Sequence, residues 1–330
     1  MKRLLSKYGV LVAFIVLFVV SAAWKGDIFL KPESLRNIVN QNVAVGVLAI
    51  GMTFVIITGG IDLAVGSLVA FVGAVGLLLM TKLMGSGMPE STAVIVGVIC
   101  MLGTGVFAGL LQGIVISYGR VTPFVTTLIG MIAFRSATAA MANGGEIRSP
   151  SSNIWPELGI GGIHLPFFKI GPNADLVITW GMIAFFVMVA LGSFILNRTR
   201  YGRYAIAIGA NERASHYSAI PVNRVKILTY ALSGFMVGVA AIAQSGKMNS
   251  IGSGSTGTFF ELDAIAAVVI GGTPLSGGYG RIWGTVIGVL LLGVINVMLG
   301  YIGVGSHYQG MVKGAVILIA VLLQRGSRDV

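Results

Sequence analysis

The chain has 330 residues, of which 55% are hydrophobic and only 10% charged, with a mean hydropathy of +0.92. Soluble domains run at about a quarter charged, so a soluble enzyme or binding module is excluded and the chain reads as a membrane protein. Its formal charge of +11 comes with no basic patch interleaved with aromatics. Nucleic acid is therefore not the partner, and the positive-inside rule with phosphatidylserine-like headgroups explains the excess better.

Met1 to Lys7 followed by Gly9 to Trp24 has the basic start and apolar stretch of a signal peptide. The end Ala22-Ala23-Trp24-Lys25 lacks a small-x-small cleavage site, so the segment reads as a retained anchor. A bilayer core needs about 20 apolar residues per helix. The apolar runs give ten candidate spans: 9–24, 43–60, 63–83, 92–117, 122–142, 175–197, 225–246, 261–272, 282–300 and 308–324. The eighth is short enough to be a half-span. The fold class is all-α and polytopic, one permease domain over 1–330. Two parts, about 1–197 and 225–330, form a pseudo-repeat, joined by a connector at 198–224.

Lys2, Arg3 and Lys7, the connector residues Arg198, Arg200, Arg203, Arg213, Arg224 and Lys226, and Arg325 with Arg328 are the basic clusters. Even numbers of spans between them allow all three to be cytoplasmic. The stretch 143–174, rich in Gly and Pro, then falls outside as an ordered cap or docking surface. The single Cys100 lies in an apolar run, so neither a disulfide nor a thiolate metal site can be built from it.

One short pattern occurs twice. Gly59-Gly60-Ile61-Asp62-Leu63-Ala64-Val65-Gly66 and Gly271-Gly272-Thr273-Pro274-Leu275-Ser276-Gly277-Gly278 both read GGxxLxxG, each between two apolar runs. Helix-breaking glycines at matching places in two halves point to a transporter's pathway. Thr58, Gly59, Gly60, Asp62, Gly271, Gly272, Thr273 and Pro274 are therefore the candidate path residues. Span parity places both patterns near the cytoplasmic side in parallel orientation.

Ala241 to Met248 approaches a P-loop but lacks its first glycine and closing hydroxyl, so no nucleotide site is present. Gly252-Ser253-Gly254-Ser255-Thr256-Gly257 matches GxGxxG letter for letter, without the strand and helix that a dinucleotide site requires. It reads as a flexible outer loop. Asn211-Glu212-Arg213-Ala214-Ser215-His216-Tyr217-Ser218 reads as a short polar helix opened by Asn211 or Gly209, with Pro221 as a stop. It is either a solvated connector or a docking helix for a soluble ATPase. The polar segment 197–226 that holds it spans almost thirty residues with mixed charge, which favours docking, so Asn211, Glu212, Arg213, Ala214, Ser215, Tyr217 and Ser218, with Gly209 and Ala210 just before them, are the candidate coupling residues.

Intramembrane charges are costly, about 2.5–3.5 kcal/mol on insertion scales. Asp62, Arg135, Glu261, Asp263 and Lys313 are the candidates. Pairing of Arg135 or Lys313 with a carboxylate, or capping by Asp62 and Asp263 of the helices they precede, is expected ahead of substrate contact. His164, His216 and His307 lack i, i+4 partners, so no metal is expected. No catalytic constellation is present, and the chain reads as a non-enzyme needing no cofactor.

Thr58 to Ser67 and Glu261 to Thr273 resemble the signatures of ribose-type sugar ABC permeases. The pattern continues in Leu275, Gly277, Gly278, Gly280, Gly284, Thr285 and Gly288. It also holds in Gly130 with Arg135, in Tyr201-Gly202 through Asn211, and in Tyr308-Gln309 with Lys313. The resemblance covers essentially the whole chain, and Pro274 departs from it in place of a small residue. It implies a ten-span bacterial inner-membrane permease with cytoplasmic termini. Its implied partners are a second permease subunit, ATPase subunits and a periplasmic sugar-binding protein, with coupling at about Gly209 to Ser218. Another cargo, such as a branched-chain amino acid or a sugar-like signal, is the alternative within the class. An ion-coupled carrier is the rival outside it.

Overall fold

The computed structural model describes residues 2–171, 174–305, 308–312 and 314–315. Helix α1 (Lys2–Phe29) leads to α2 (Pro32–Asn40), a helix absent from the ten expected spans. Pro32 opens it at a position where the missing N–H costs nothing. It meets α3 (Val43–Ile57) at 45°. Three longer helices come next: α4 (Val65–Gly85), α5 (Glu90–Ser117) and α6 (Pro123–Met141).

The stretch 143–174, expected to be an ordered cap or docking surface, holds secondary structure in its described residues. It contains β1 (Glu146–Arg148), α7 (Ile154–Ile160) and an antiparallel hairpin, β2 (Gly162–Gly171) with β3 (Ala174–Thr179). The sixth span therefore begins later than position 175, with α8 (Trp180–Arg198). Residues 176–179 are β-branched or leucine and pair with 162–165 instead of winding into a helix. After α8 come α9 (Arg200–Ala210), α10 (Glu212–Tyr217), α11 (Val222–Met248), β4 (Ser250–Gly252), α12 (Phe260–Ile270) and α13 (Ile282–Tyr301).

Among the described residues, seven helices are long and apolar enough to cross a membrane, and the bent α2–α3 pair makes an eighth. The chain is an all-α polytopic membrane protein. The expected eighth span is the 11-residue α12, too short to cross at 1.5 Å per residue. Of the expected tenth, 308–312 and 314–315 are helical and the remainder lies outside the described residues.

All fifteen residues of α3 are buried. It carries no charge and is apolar all round, the composition of a helix enclosed by others. It packs against α8, α11, α12 and α13, and so occupies the centre. The tightest helix pair is α5 with α11. Gly105, Gly109 and Gly113 recur every four residues and lie against the backbone of Gly234, Tyr230 and Ile227. A Cβ on Gly105 or Gly109 would overlap a carbonyl oxygen of α11, so small residues are what permit this approach. Large apolar side chains on the other faces, such as Ile99 and Phe107 of α5 and Ile129 of α6, are exposed.

Candidate functional site: the meeting of two glycine turns

Single helices α8 and α11 join the strands to α9 and α10. The molecule thus has a strand face and, opposite it, a basic face carrying the arginine-rich connector. The ends of α3 and α12 lie together on the basic face.

Both glycine patterns end a helix by the same device. After α3, Gly59 has φ +80°, its N–H donates to Ile56 O at 2.9 Å, and Gly60 N–H donates to Val55 O at 2.9 Å. After α12, Gly272 has φ +93°, its N–H donates to Val269 O at 2.9 Å, and Thr273 N–H donates to Val268 O at 3.2 Å. This is the Schellman motif, in which a left-handed residue lets two amides satisfy orphan carbonyls. The structural equivalents are Gly59 with Gly272 and Gly60 with Thr273. The lettered match GGxxLxxG is therefore out of structural register by one residue. Gly271 occupies a C-cap, the place of Thr58, and its glycine serves packing instead. A Cβ there would lie 2.5 Å from the backbone of Gly284 in α13.

The two turns touch. Gly278 N–H donates to Ile57 O at 2.9 Å, and a Cβ on Gly277 would lie 3.0 Å from Gly59 N. The connector docks on the same spot. A Cβ on Gly209 would overlap the Ile57 carbonyl oxygen and sit 2.5 Å from Gly278 N, and Gly278 lies against Ala210. Sequence reading selected these three segments separately, and the fold brings them into one backbone junction. Thr273 is fully buried within the second turn, and Pro274 closes that turn by accepting from Gly277 N–H at 2.9 Å.

Beyond Gly60 the chain folds back into the protein. Asp62 is 2% exposed; its Oδ1 accepts from Ala64 N–H at 3.0 Å and its Oδ2 from Ser233 Oγ of α11 at 3.1 Å. It closes a local turn and pins α4 to α11, but α4 begins at Val65 with Ala64 as N-cap, so Asp62 is not the helix cap. Asp263 does not precede α12 either; it lies inside the first turn of that helix. Thr127 Oγ1 of α6 donates to Ile61 O at 3.2 Å, holding the returning segment from the other side.

Arg135 was expected opposite a carboxylate. It interacts through charge with the Glu261 carboxylate, as expected, and its Nη1 also donates to the carbonyls of Ser253 at 3.0 Å and Thr256 at 2.8 Å. The segment 252–257 is thus not a loose outer loop. β4 pairs with β1, Ile251 fills the space beside Gly73, and Gly257 and the Glu261 carboxylate lie against Gly66 at the start of α4. A strand-face segment therefore dips along α4 before α12 starts. Lys313 and His307 lie outside the described residues.

Of the two helices of the connector, α9 is anchored and α10 is displayed. Thr199 caps α9 by accepting from Gly202 N–H at 3.2 Å, and Tyr201 Oη bonds Thr229 Oγ1 of α11 at 2.8 Å. Asn211, of the two residues that could open the polar helix, caps α10 by accepting from Ala214 N–H at 2.9 Å. Ser215 is buried, whereas Glu212, Arg213, Ala214 and Ser218 are exposed and Tyr217 is 93% exposed. Pro221 does not simply stop the polar helix; it is the N-cap residue of α11. Lys226 pairs with Glu212 at 2.7 Å and ties α10 to α11. Sequence reading missed Tyr230 and Ser233, which carry no motif and face Gly60 and Asp62 across the fold.

Residues 34–321 match the family model described as branched-chain amino acid transport system / permease component. Among curated proteins, the chain is 36% identical over 328 residues to the ribose import permease protein of Escherichia coli, covering 98% of this chain and 94% of that one. It is 39% identical over 314 residues to the ribose import permease protein of Bacillus subtilis, covering 94% and 90%. It is 30% identical to the xylose transport system permease protein of Escherichia coli over 378 residues, covering 99% and 94%. No solved structure matches. The chain belongs to the branched-chain amino acid transport system / permease component family.

Proposed function

We propose that this chain is the membrane-spanning permease of an ATP-driven ABC importer for a monosaccharide of the ribose or xylose class. It works as a non-catalytic gate beside a second permease subunit. A cytoplasmic ATPase binds α10 and a periplasmic binding protein delivers sugar to the strand face. The basic face and both termini are cytoplasmic in this reading, which the Lys and Arg distribution supports. The relatives named for ribose and xylose support the cargo.

The observation that carries the reading is the junction of Gly209, Ile57 and Gly278. An exposed, capped helix is joined through a rigid helix to the ends of both broken segments, with backbone on backbone and no side chain to absorb displacement. Closed cores and interfaces transmit small shifts as discrete repacking. Movement imposed on α10 then reaches α3 and α12 directly, and alternating access results as the gate opens on one face and closes on the other.

The test is sugar uptake by the complete transporter in proteoliposomes with residues 212–217 scrambled. Uptake in the parent depends on ATP and is lost in the variant, while the spans still insert. Uptake that persists in the variant, or that runs on a cation gradient without an ATPase, sinks the proposal.

A further inference from the structure

Tyr230 of α11 is 2% exposed, and its hydroxyl has no hydrogen-bond partner among the described residues. Buried tyrosine hydroxyls nearly always find one, so an idle donor at this place calls for a use. It is sealed against the returning segment. A Cβ on Gly60 would lie 2.6 Å from Tyr230 Oη, and the hydroxyl interacts through charge with the Asp62 carboxylate. Gln112 Nε2 of α5 is a second buried donor without a partner among the described residues. A Cβ on Gly130 of α6 would lie 2.6 Å from that nitrogen and 3.2 Å from the Ala64 side chain. The returning segment therefore runs between donors that it does not use.

Asp62 meanwhile accepts from Ser233 Oγ at 3.1 Å. Ser233 and Tyr230 stand three residues apart on α11 and so share a face of the helix. Tyr230 is about 4.5 Å nearer the start of α11, the end that Lys226 and Glu212 tie to α10. One carboxylate thus has two hydroxyls in line along α11, one engaged and one idle, and the missing Cβ of Gly60 leaves room between. We infer that Tyr230 is the second latch of the first turn: as the gate changes state, Asp62 leaves Ser233 and accepts from Tyr230 Oη. Close packing makes such an element two-state rather than graded. Tyr230 is a positioning residue here and touches no cargo. The link to ATP rests on the proposed function; the latch adds what holds the first turn in each state.

Tyr230→Phe deletes the idle hydroxyl alone. Without nucleotide, the Tm of the full-length variant in detergent equals or exceeds the parent's, because no bond is lost. In proteoliposomes of the complete transporter its ATP-driven initial uptake falls about ten-fold at parental abundance, the effect of one hydrogen bond to a carboxylate. Ser233→Ala removes the other partner and acts in the opposite sense. Spin labels at the exposed Tyr217 and Ile160, with Cys100 replaced by serine, read the two states by electron–electron resonance. Without nucleotide, Ser233→Ala raises the share of the ATP-state distance about ten-fold, and adding Tyr230→Phe reverses that rise. A tyrosine that only fills space gives no such opposed pair. A Tyr230→Phe variant that melts below the parent has lost a bond already made, through a water, and overturns the latch. Uptake unchanged in Tyr230→Phe, or label distances that respond to ATP but to neither substitution, overturns it too. Where Ser233→Ala fails to insert, the Tm and uptake of Tyr230→Phe decide alone. Uptake without ATP dependence rejects the proposed function, and the rise and its reversal without nucleotide still judge the latch.

Discussion

The turn after α3 and the turn after α12 close their helices with the same pair of hydrogen bonds around a left-handed glycine. Past that shared closure the two paths diverge. The first sends residues 60–64 back among the helices, where Asp62 and the Ile61 carbonyl are held by Ser233 and Thr127. The second stays on the basic face, using Gly277 and Gly278 at φ +78° and +77° to lie flat on the first turn and on Ala210. One turn is anchored to the bundle; the other lies flat on it, and the connector touches both. A repeated sequence pattern has been put to two mechanical uses.

The contrast can be broken most severely at Gly209. A valine there must displace the Ile57 carbonyl, an overpacking cost of about 3 kcal/mol, which disfavours the docked junction about 100-fold. ATP-driven uptake by Gly209→Val falls accordingly, while its abundance in the membrane stays near that of the parent. Next in size, Asp62→Ala leaves the Ser233 hydroxyl and Ala64 N–H unpaired and costs about 2 kcal/mol of thermal stability in detergent. Asp62→Asn keeps one acceptor and costs less.

The one-residue register shift makes a sharper prediction. Gly59 and Gly272 have open space where a Cβ would go, so alanine at either costs only its left-handed backbone, about 1 kcal/mol each. Gly271→Ala meets the α13 backbone and costs more than either. Equal effects at Gly59 and Gly271 would restore the lettered register. Smallest is Asn211→Ala, which removes the α10 cap at about 1 kcal/mol or less. It is read as faster amide hydrogen exchange confined to 212–217.

The spans, the connector helix and the glycine turns were legible because each depends on local chemistry. Apolar length, an Asn cap and a Gly at φ > 0 are written within a few residues of the structure they cause. The half-span was legible too, since α12 has too few apolar residues to cross. What was hidden depends on distant partners. Arg135 finds the carbonyls of Ser253 and Thr256, Asp62 finds Ser233, and Gly209 finds Ile57, with more than a hundred residues between partners in each case. Composition gave no sign that 252–257 folds inward, because its glycines suit a loose loop as well as a close approach to α4. The hairpin at 162–179 was read partly as span because its last residues are as apolar as a helix.

The central claim is that α10, α9 and the second turn move as one body. Spin labels at Tyr217 and Leu275, both exposed, with Cys100 replaced by serine, allow that distance to be measured by electron–electron resonance in the complete transporter with and without ATP. A third label at Ile160, exposed on the strand face, reports motion relative to the bundle. The Tyr217–Leu275 distance stays constant while Tyr217–Ile160 changes on ATP binding. A changing Tyr217–Leu275 distance with a fixed Tyr217–Ile160 distance would contradict the account.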